Sequence, residues 1–406
     1  MRRKFIFLLV GCAIAFAASE VSLRFIPTSV NQWGTNIRFV PDTVLGYRLA
    51  PDQCGEHNMP CFRTSPVTTN SQGFRDTEWK KGNEYEIALL GDSFIEALMV
   101  RDGSHLATLL ESITGIQSMN AALSGQGTIA QFFTYRHIAA EHHPKIVILF
   151  YYAGNDLLNN HCGLNRSSGN TFVEPCPCAE FESDTFRFVL PPSGSNRSNW
   201  ISWCKSCAAF DHIFVENSIP VSPEKWDIYF PPYGSDLANS VKATEKALLN
   251  LDLEVRQNGG KLFVVTIPAF LEFTEDPYDE IRKLGGLVSS RQGLDTAWPT
   301  QVMTEIAGRN GIAWFSLTPG LKEYSKKFNL KFPWFFFTCN GHWNPLGHHV
   351  AANLVAQQLL ERNLIQSTPE IKNKIESNLI LPPAGVLSDK GFRQIYSGEV
   401  FELEAE

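Results

Sequence analysis

The sequence has no basic block. Its 35 lysines and arginines are outnumbered by 42 aspartates and glutamates, and the net charge is −7. Positive charge is dispersed along the chain, which argues against nucleic acid as a partner. No internal repeat is present, so the 406 residues read as one enlarged domain or one domain with additions. Charged residues make up 19% and hydrophobic residues 44%, ordinary values for a folded protein. Aromatic residues are somewhat abundant, and many gather in segments such as Phe332-Pro333-Trp334-Phe335-Phe336-Phe337.

A second zinc-type cysteine pair is also missing. Cys176-Pro177-Cys178 and Cys204-Lys205-Ser206-Cys207 invite a metal reading, but Cys-x-Cys is not a knuckle spacing. The intervals of His342, His348 and His349 match no zinc motif either, so neither a metal nor a cofactor is expected. Of the nine cysteines, setting Cys12 aside leaves an even number: Cys54, Cys61, Cys162, Cys176, Cys178, Cys204, Cys207 and Cys339. In an exported chain that points to disulfides. Cys54 and Cys61 are spaced for a local loop, and spacing decides nothing further about the pairing.

Export is what the N-terminus suggests. Met1-Arg2-Arg3-Lys4 precedes an apolar run from Phe5 to Ala18. Three fates fit this segment. Small residues Ala15-Phe16-Ala17 suit cleavage, Leu9-Val10-Gly11-Cys12 resembles a lipoprotein box, and apolar residues resume from Val21 to Ile26 as in a retained anchor. In all three the basic end stays inside and the rest crosses. The expected location is the periplasmic or extracellular side, with residues 1–26 as signal peptide or membrane anchor, the anchor being favoured. A cytosolic chain with an apolar first helix is the competing reading.

Residues 27–80, rich in Pro, Asn, Gly and Thr, read as an irregular lead-in. From Tyr85 the pattern alternates. Apolar strands are expected at Tyr85–Leu90, Ile116–Asn120, Lys145–Tyr152, Leu262–Ile267 and Ile312–Leu317. Helices are expected after a Ser104 cap, over Ile129–His142, Leu237–Asn258 and Thr300–Asn310, and up to Arg362. A Cys-rich insertion at 157–232 interrupts the alternation, long enough to be a lid or substrate platform. The domain is expected to span 81–365 and a polar tail 366–406. Strands alternating with helices predict a three-layer α/β fold, flavodoxin-like, with a central parallel sheet and helices on both faces.

In such a sheet, ligands bind outside the carboxyl ends of the strands. Four short segments fall there: Gly91-Asp92-Ser93-Phe94, Ala121–Thr128, Ala153-Gly154-Asn155-Asp156 and the stretch around His342. Acyl transfer needs a nucleophile, a base and oxyanion donors. Ser93 supplies a hydroxyl, and His342 a base with a neutral form near pH 7. The backbone N–H groups of Ser93 and Gly125, with the Asn155 amide, are candidate donors. Asp92 and Asp156 are read as supporting residues, fixing the serine turn and backing Asn155.

These residues carry a family resemblance. Gly91-Asp92-Ser93 resembles the first block of the SGNH/GDSL hydrolases, and Asn120-Ala121-Ala122-Leu123-Ser124-Gly125 their glycine block. Gly154-Asn155-Asp156 resembles the asparagine block, and Gly341-His342-Trp343-Asn344-Pro345 the histidine block. The lead-in, with Leu45-Gly46-Tyr47-Arg48-Leu49-Ala50-Pro51 and Asn70-Ser71-Gln72-Gly73-Phe74-Arg75, is similar to that of bacterial membrane-anchored members. The resemblance implies Ser93 as nucleophile, His342 as base, and Gly125 and Asn155 as oxyanion donors. It also implies an aspartate two residues before the histidine, where this chain has Asn340. Three consequences are open: another group orients His342, Asn340 itself does, or hydrolysis is lost and binding kept. The expected activity is esterase or O-acyltransferase chemistry through an acyl-enzyme on Ser93. The expected partner is an acyl ester, with acetylated cell-surface polysaccharide or peptidoglycan as the candidate. The alternative is a weak or inactive binding or assembly protein of the same fold.

Overall fold

The structure is a computed structural model. It describes residue 11 and residues 34–59, 62–79, 85–167, 176–182, 185–190, 223–283, 293–330, 334–337, 341–380, 394–396 and 399–401. The expected N-terminal anchor, most of the Cys-rich insertion, Cys339 and Asn340 lie outside the described residues. Among the described residues, no helix is long and apolar enough to cross a membrane.

A parallel sheet of five strands forms the centre: β1 (Ile87–Leu90), β2 (Ser118–Asn120), β3 (Ile146–Tyr152), β4 (Lys261–Ile267) and β5 (Ala313–Ser316). Their order is β2-β1-β3-β4-β5, the flavodoxin-like arrangement, and every neighbouring pair is parallel. The expected three-layer α/β fold is therefore present. The strands read as continuous apolar runs because both of their faces are covered. Ala88, Leu90, Val147, Leu149, Tyr151 and Val264 point into one core; Ile87, Leu89, Ile148, Phe150, Phe263 and Val265 point into the other.

The helices include α1 (Ser93–Glu96), α2 (Leu106–Thr114), α3 (Thr128–His137), α4 (Asp156–Asn160), α5 (Ser235–Gln257), α6 (Trp298–Arg309), α7 (Leu317–Lys327), α8 (Pro345–Glu361) and α9 (Pro369–Ile380); among the described residues two further short α-helices lie at Cys162–Ser167 and Pro277–Lys283. Helices α3, α5 and α6 cover the first face through Ile129, Phe132, Ala247, Leu251 and Ile306. Helices α2, α7 and α8 cover the second through Leu106, Leu110, Leu321, Val350 and Val355.

Some local expectations shift. Helix α2 is capped by His105, not Ser104: its Nδ1 accepts from Thr108 N–H at 3.5 Å. Helix α9, within the segment read as a polar tail, buries Ile371 and Ile375 against the α2–α8 layer. The lead-in carries short antiparallel strands, Phe39–Asp42 with Gly46–Leu49 and Gly34–Thr35 with Cys54–Met59 and Phe62–Thr68. They escaped the sequence pattern because they are only two to seven residues long and contain Pro41, Gly46, Gly55 and Pro66, residues that read as breaks. In the insertion, a hairpin of Cys178–Glu182 and Thr185–Val189 is tied to Cys162 by the Cys162–Cys178 disulfide. Cys54 has a free thiol, against the expected Cys54–Cys61 loop, and Cys61 lies outside the described residues.

Candidate active site

Strand β1 ends at Gly91, where a Cβ would lie 2.6 Å from Ile95 Cγ1. Only glycine lets α1 fold back this tightly. Asp92 then caps α1, its Oδ1 accepting from Phe94 N–H at 2.9 Å, and Ser93 opens the helix. Asp92 thus closes the turn between β1 and α1. Burial pushes its carboxyl up to about 7, against the pull of the hydrogen bonds it accepts.

His342 arrives from the far end of the chain. Its Nε2 lies 2.7 Å from Ser93 Oγ. The loop that carries it is closely pinned. Phe337 N–H donates to His342 O at 2.8 Å, Gly341 N–H to Phe337 O at 2.9 Å, and Asn344 N–H to Phe335 O at 2.9 Å. Gly341 has φ +73°, the left-handed region that favours glycine. Asn344 caps α8 by accepting from Gly347 N–H at 3.0 Å. The aromatic run from Trp334 to Phe337 therefore serves as the wall of the histidine loop.

Gly125 and Asn155 follow β2 and β3, the strands on either side of β1. The chain leaves β2 alongside β1, with Ala121 N–H on Leu89 O at 3.0 Å and Leu123 N–H on Gly91 O at 3.2 Å. It then turns from Leu123 to Gln126, closed by Gln126 N–H on Leu123 O at 3.4 Å. Gly125, at φ +71°, is the third residue of this turn, where type II turns place glycine. Asn155 precedes α4, and its Oδ1 is buried with no hydrogen-bond partner among the described residues. Behind it, Asp156 accepts from Gln131 Nε2 at 3.4 Å. Burial, then the charge of Asp92, pushes the Asp156 carboxyl well up.

Ser93 and His342 are thus joined, and Gly125 and Asn155 stand at the same sheet edge, where the strand order reverses between β1 and β3. The described carboxylates nearby have other bonds. Glu96 accepts from Ser124, Asp92 from Phe94, Asp156 from Gln131, and Glu272 from Thr300 and Thr318. His348 is buried edge-on against Trp343, and His349 lies 3.2 Å from Asn378 O. Among the described residues no group of three or more His, Cys, Asp or Glu side chains could hold a metal ion.

Sequence reasoning missed several residues that build the site. Asn120 Nδ2 donates to Ile95 O at 3.0 Å and to Arg75 O at 3.2 Å, tying β2 to the helix that Ser93 opens. Arg75, almost fully buried, donates through its guanidinium to the backbone oxygens of Glu96, Ala97 and Val100, and pairs with Asp102 at 2.8 Å. The lead-in thus grips the end of α1. Arg75 sits in the lead-in stretch that drew notice by resemblance, but nothing local assigns it this role. Phe94 and Glu96 had no sequence signal beyond lying within three residues of Ser93.

No family model and no curated protein matches the chain. Among solved structures, it is similar to an acetyl xylan esterase at 13% identity and a TM-score of 0.37, covering 67% of this chain and 99% of that one. A GDSL-like lipase from Bacteroides thetaiotaomicron is similar at 11% identity and a TM-score of 0.33, covering 68% and 88%. A mutant of an acetyl-xylooligosaccharide esterase from Geobacillus stearmophilus matches at 12% identity and a TM-score of 0.36, covering 69% and 96%. The fold class itself rests on the strand order and the two helix layers.

Proposed function

We propose that the chain is an SGNH/GDSL-type serine hydrolase that acts on ester bonds. The hydrogen bond between Ser93 Oγ and His342 Nε2, at the carboxyl edge of a flavodoxin-like sheet, carries this reading. Ser93 attacks the ester carbonyl while His342 takes its proton. The tetrahedral oxyanion is received by the N–H groups of Ser93 and Gly125 and the Asn155 amide. His342 then protonates the departing alcohol, leaving an acyl-enzyme. Water attacking this ester, with His342 again as base, gives hydrolysis; a sugar hydroxyl in its place gives O-acyltransfer. The export-type N-terminus and the resemblance to membrane-anchored members support an envelope location. They also support acetyl esters on cell-surface glycan as substrate.

Asn340 favours a second reading, a binding or assembly protein with the site retained but turnover lost. Turnover of p-nitrophenyl acetate and labelling by a fluorophosphonate probe, with Ser93→Ala beside the parent, separate the two. Ser93-dependent turnover and labelling are expected. Equal behaviour of the two proteins would rule out Ser93 as the nucleophile toward these reagents.

A further inference from the structure

We infer that Glu96 is a positioning residue for the oxyanion-binding loop, its carboxylate holding Ser124 so that Gly125 N–H faces the serine; this rests on the hydrolase reading above. Glu96 closes the single-turn helix that Ser93 opens, and it is fully buried. A carboxylate is costly to bury unless hydrogen-bonded. Here Oε2 accepts from Ser124 N–H at 3.2 Å and from the Ser124 hydroxyl. Burial pushes this carboxyl up to about 7, against the pull of the two Ser124 bonds.

The consequence lies one residue on. The N–H of Gly125 belongs to the peptide whose carbonyl is Ser124's. With Ser124 N–H and hydroxyl both held by Glu96, the main freedom left to that peptide is rotation at Ser124. The Leu123–Gln126 turn, with Gly125 at φ +71°, limits that rotation. The other end of the strut is equally fixed: Arg75 binds the Glu96 and Ala97 carbonyls, and Asn120 Nδ2 binds Ile95 O at 3.0 Å. One helical turn therefore carries the nucleophile at its start and the brace for the donor loop at its end. Nucleophile and donor are thus registered by a side-chain contact in addition to the bonds at the strand ends. The other oxygen, Oε1, is buried with no hydrogen-bond partner among the described residues, so the two Ser124 bonds on Oε2 are what hold this side chain.

The test compares Glu96→Ala, Glu96→Gln and Ser124→Ala with the parent, using p-nitrophenyl acetate and the matching thionoester. Sulfur is a poorer hydrogen-bond acceptor, so loss of an oxyanion donor slows the oxygen ester more than the thionoester. Glu96→Ala should lower kcat about 100-fold, the scale of a misplacement near 1 Å, with little change in KM and a fall in the oxygen-to-sulfur rate ratio. Glu96→Gln keeps an accepting oxygen and should restore most of kcat. Ser124→Ala keeps Glu96 and Arg75 and should lower kcat and the ratio in the same direction, by less. It decides the matter if Glu96→Ala does not fold. Unchanged kcat in Ser124→Ala and in folded Glu96→Ala, or a loss with an unchanged ratio, overturns the inference alone. A parent without Ser93-dependent turnover overturns the hydrolase reading, and the inference falls with it.

Discussion

The ring of Phe94 stacks on the imidazole of His342, with centroids 4.9 Å apart and planes at 29°. Phe94 also meets Tyr152 at 4.2 Å and the edge of Trp343 at 5.2 Å. The residue after Ser93 is thus the platform on which the His342 ring rests. Phe94→Ala should cost about 3–5 kcal/mol of stability, as for other buried aromatics. It should also lower kcat more than it raises KM. Denaturant unfolding and steady-state kinetics measure the two effects.

Asn340→Asp should raise turnover if no other group orients His342. In a serine triad the aspartate holds the imidazole tautomer and stabilises the imidazolium, and exchanging it for asparagine can cost about 10,000-fold in kcat. Restoring a carboxylate two residues before His342 should recover part of such a factor. A rate unchanged or lower than the parent's would mean that His342 is already oriented by something else.

The Cys162–Cys178 disulfide ties the hairpin at 178–189 to the segment after α4, with a sequence separation of 16. Closing a loop of that size constrains the unfolded chain by about 3 kcal/mol. Replacing both cysteines by serine should lower the unfolding free energy by about that amount. Ser93–His342 chemistry should remain, since neither cysteine contributes to that pair. A variant as stable as the parent would show that the unfolded chain gains little from opening this loop.

His348 links stability to pH. Burial first, then the charges of Arg75 and His342, push its imidazole down from 6.5 to about 3. Below about 6.5 the unfolded chain binds a proton at this residue, and the folded chain does not until about 3. Unfolding therefore takes up a proton in that window, and stability is lost as pH falls through it. In His348→Gln this contribution is gone, so the drop in unfolding free energy from pH 7 to pH 5 should be smaller than in the parent. An equal drop in both proteins would place the proton uptake elsewhere.

Much of the fold was legible because parallel strands buried on both faces read as unbroken apolar runs. Ile146–Tyr152 and Lys261–Ile267 needed no partner to be recognised. The turn residues were legible for a similar reason: Gly91, Gly125 and Gly341 serve local needs, a close approach at the first and a positive φ at the others. The short lead-in strands were not legible, because runs of two to seven residues interrupted by Pro41, Gly46, Gly55 and Pro66 carry too little period to read. Helix α9 was hidden by its polarity, since only Ile371 and Ile375 are buried along it.

What the sequence determined by itself was the succession of strands and helices, the serine turn after β1, and the presence of asparagine at position 340. These depend on neighbouring residues and on side-chain periodicity. Only the tertiary structure decided that His342 Nε2 lies 2.7 Å from Ser93 Oγ across 249 residues. It alone also decided that Glu96 braces Ser124 and that Arg75 of the lead-in grips the end of α1. Those contacts depend on the strand order β2-β1-β3, which brings distant turns to one edge of the sheet, and no local pattern encodes that distance.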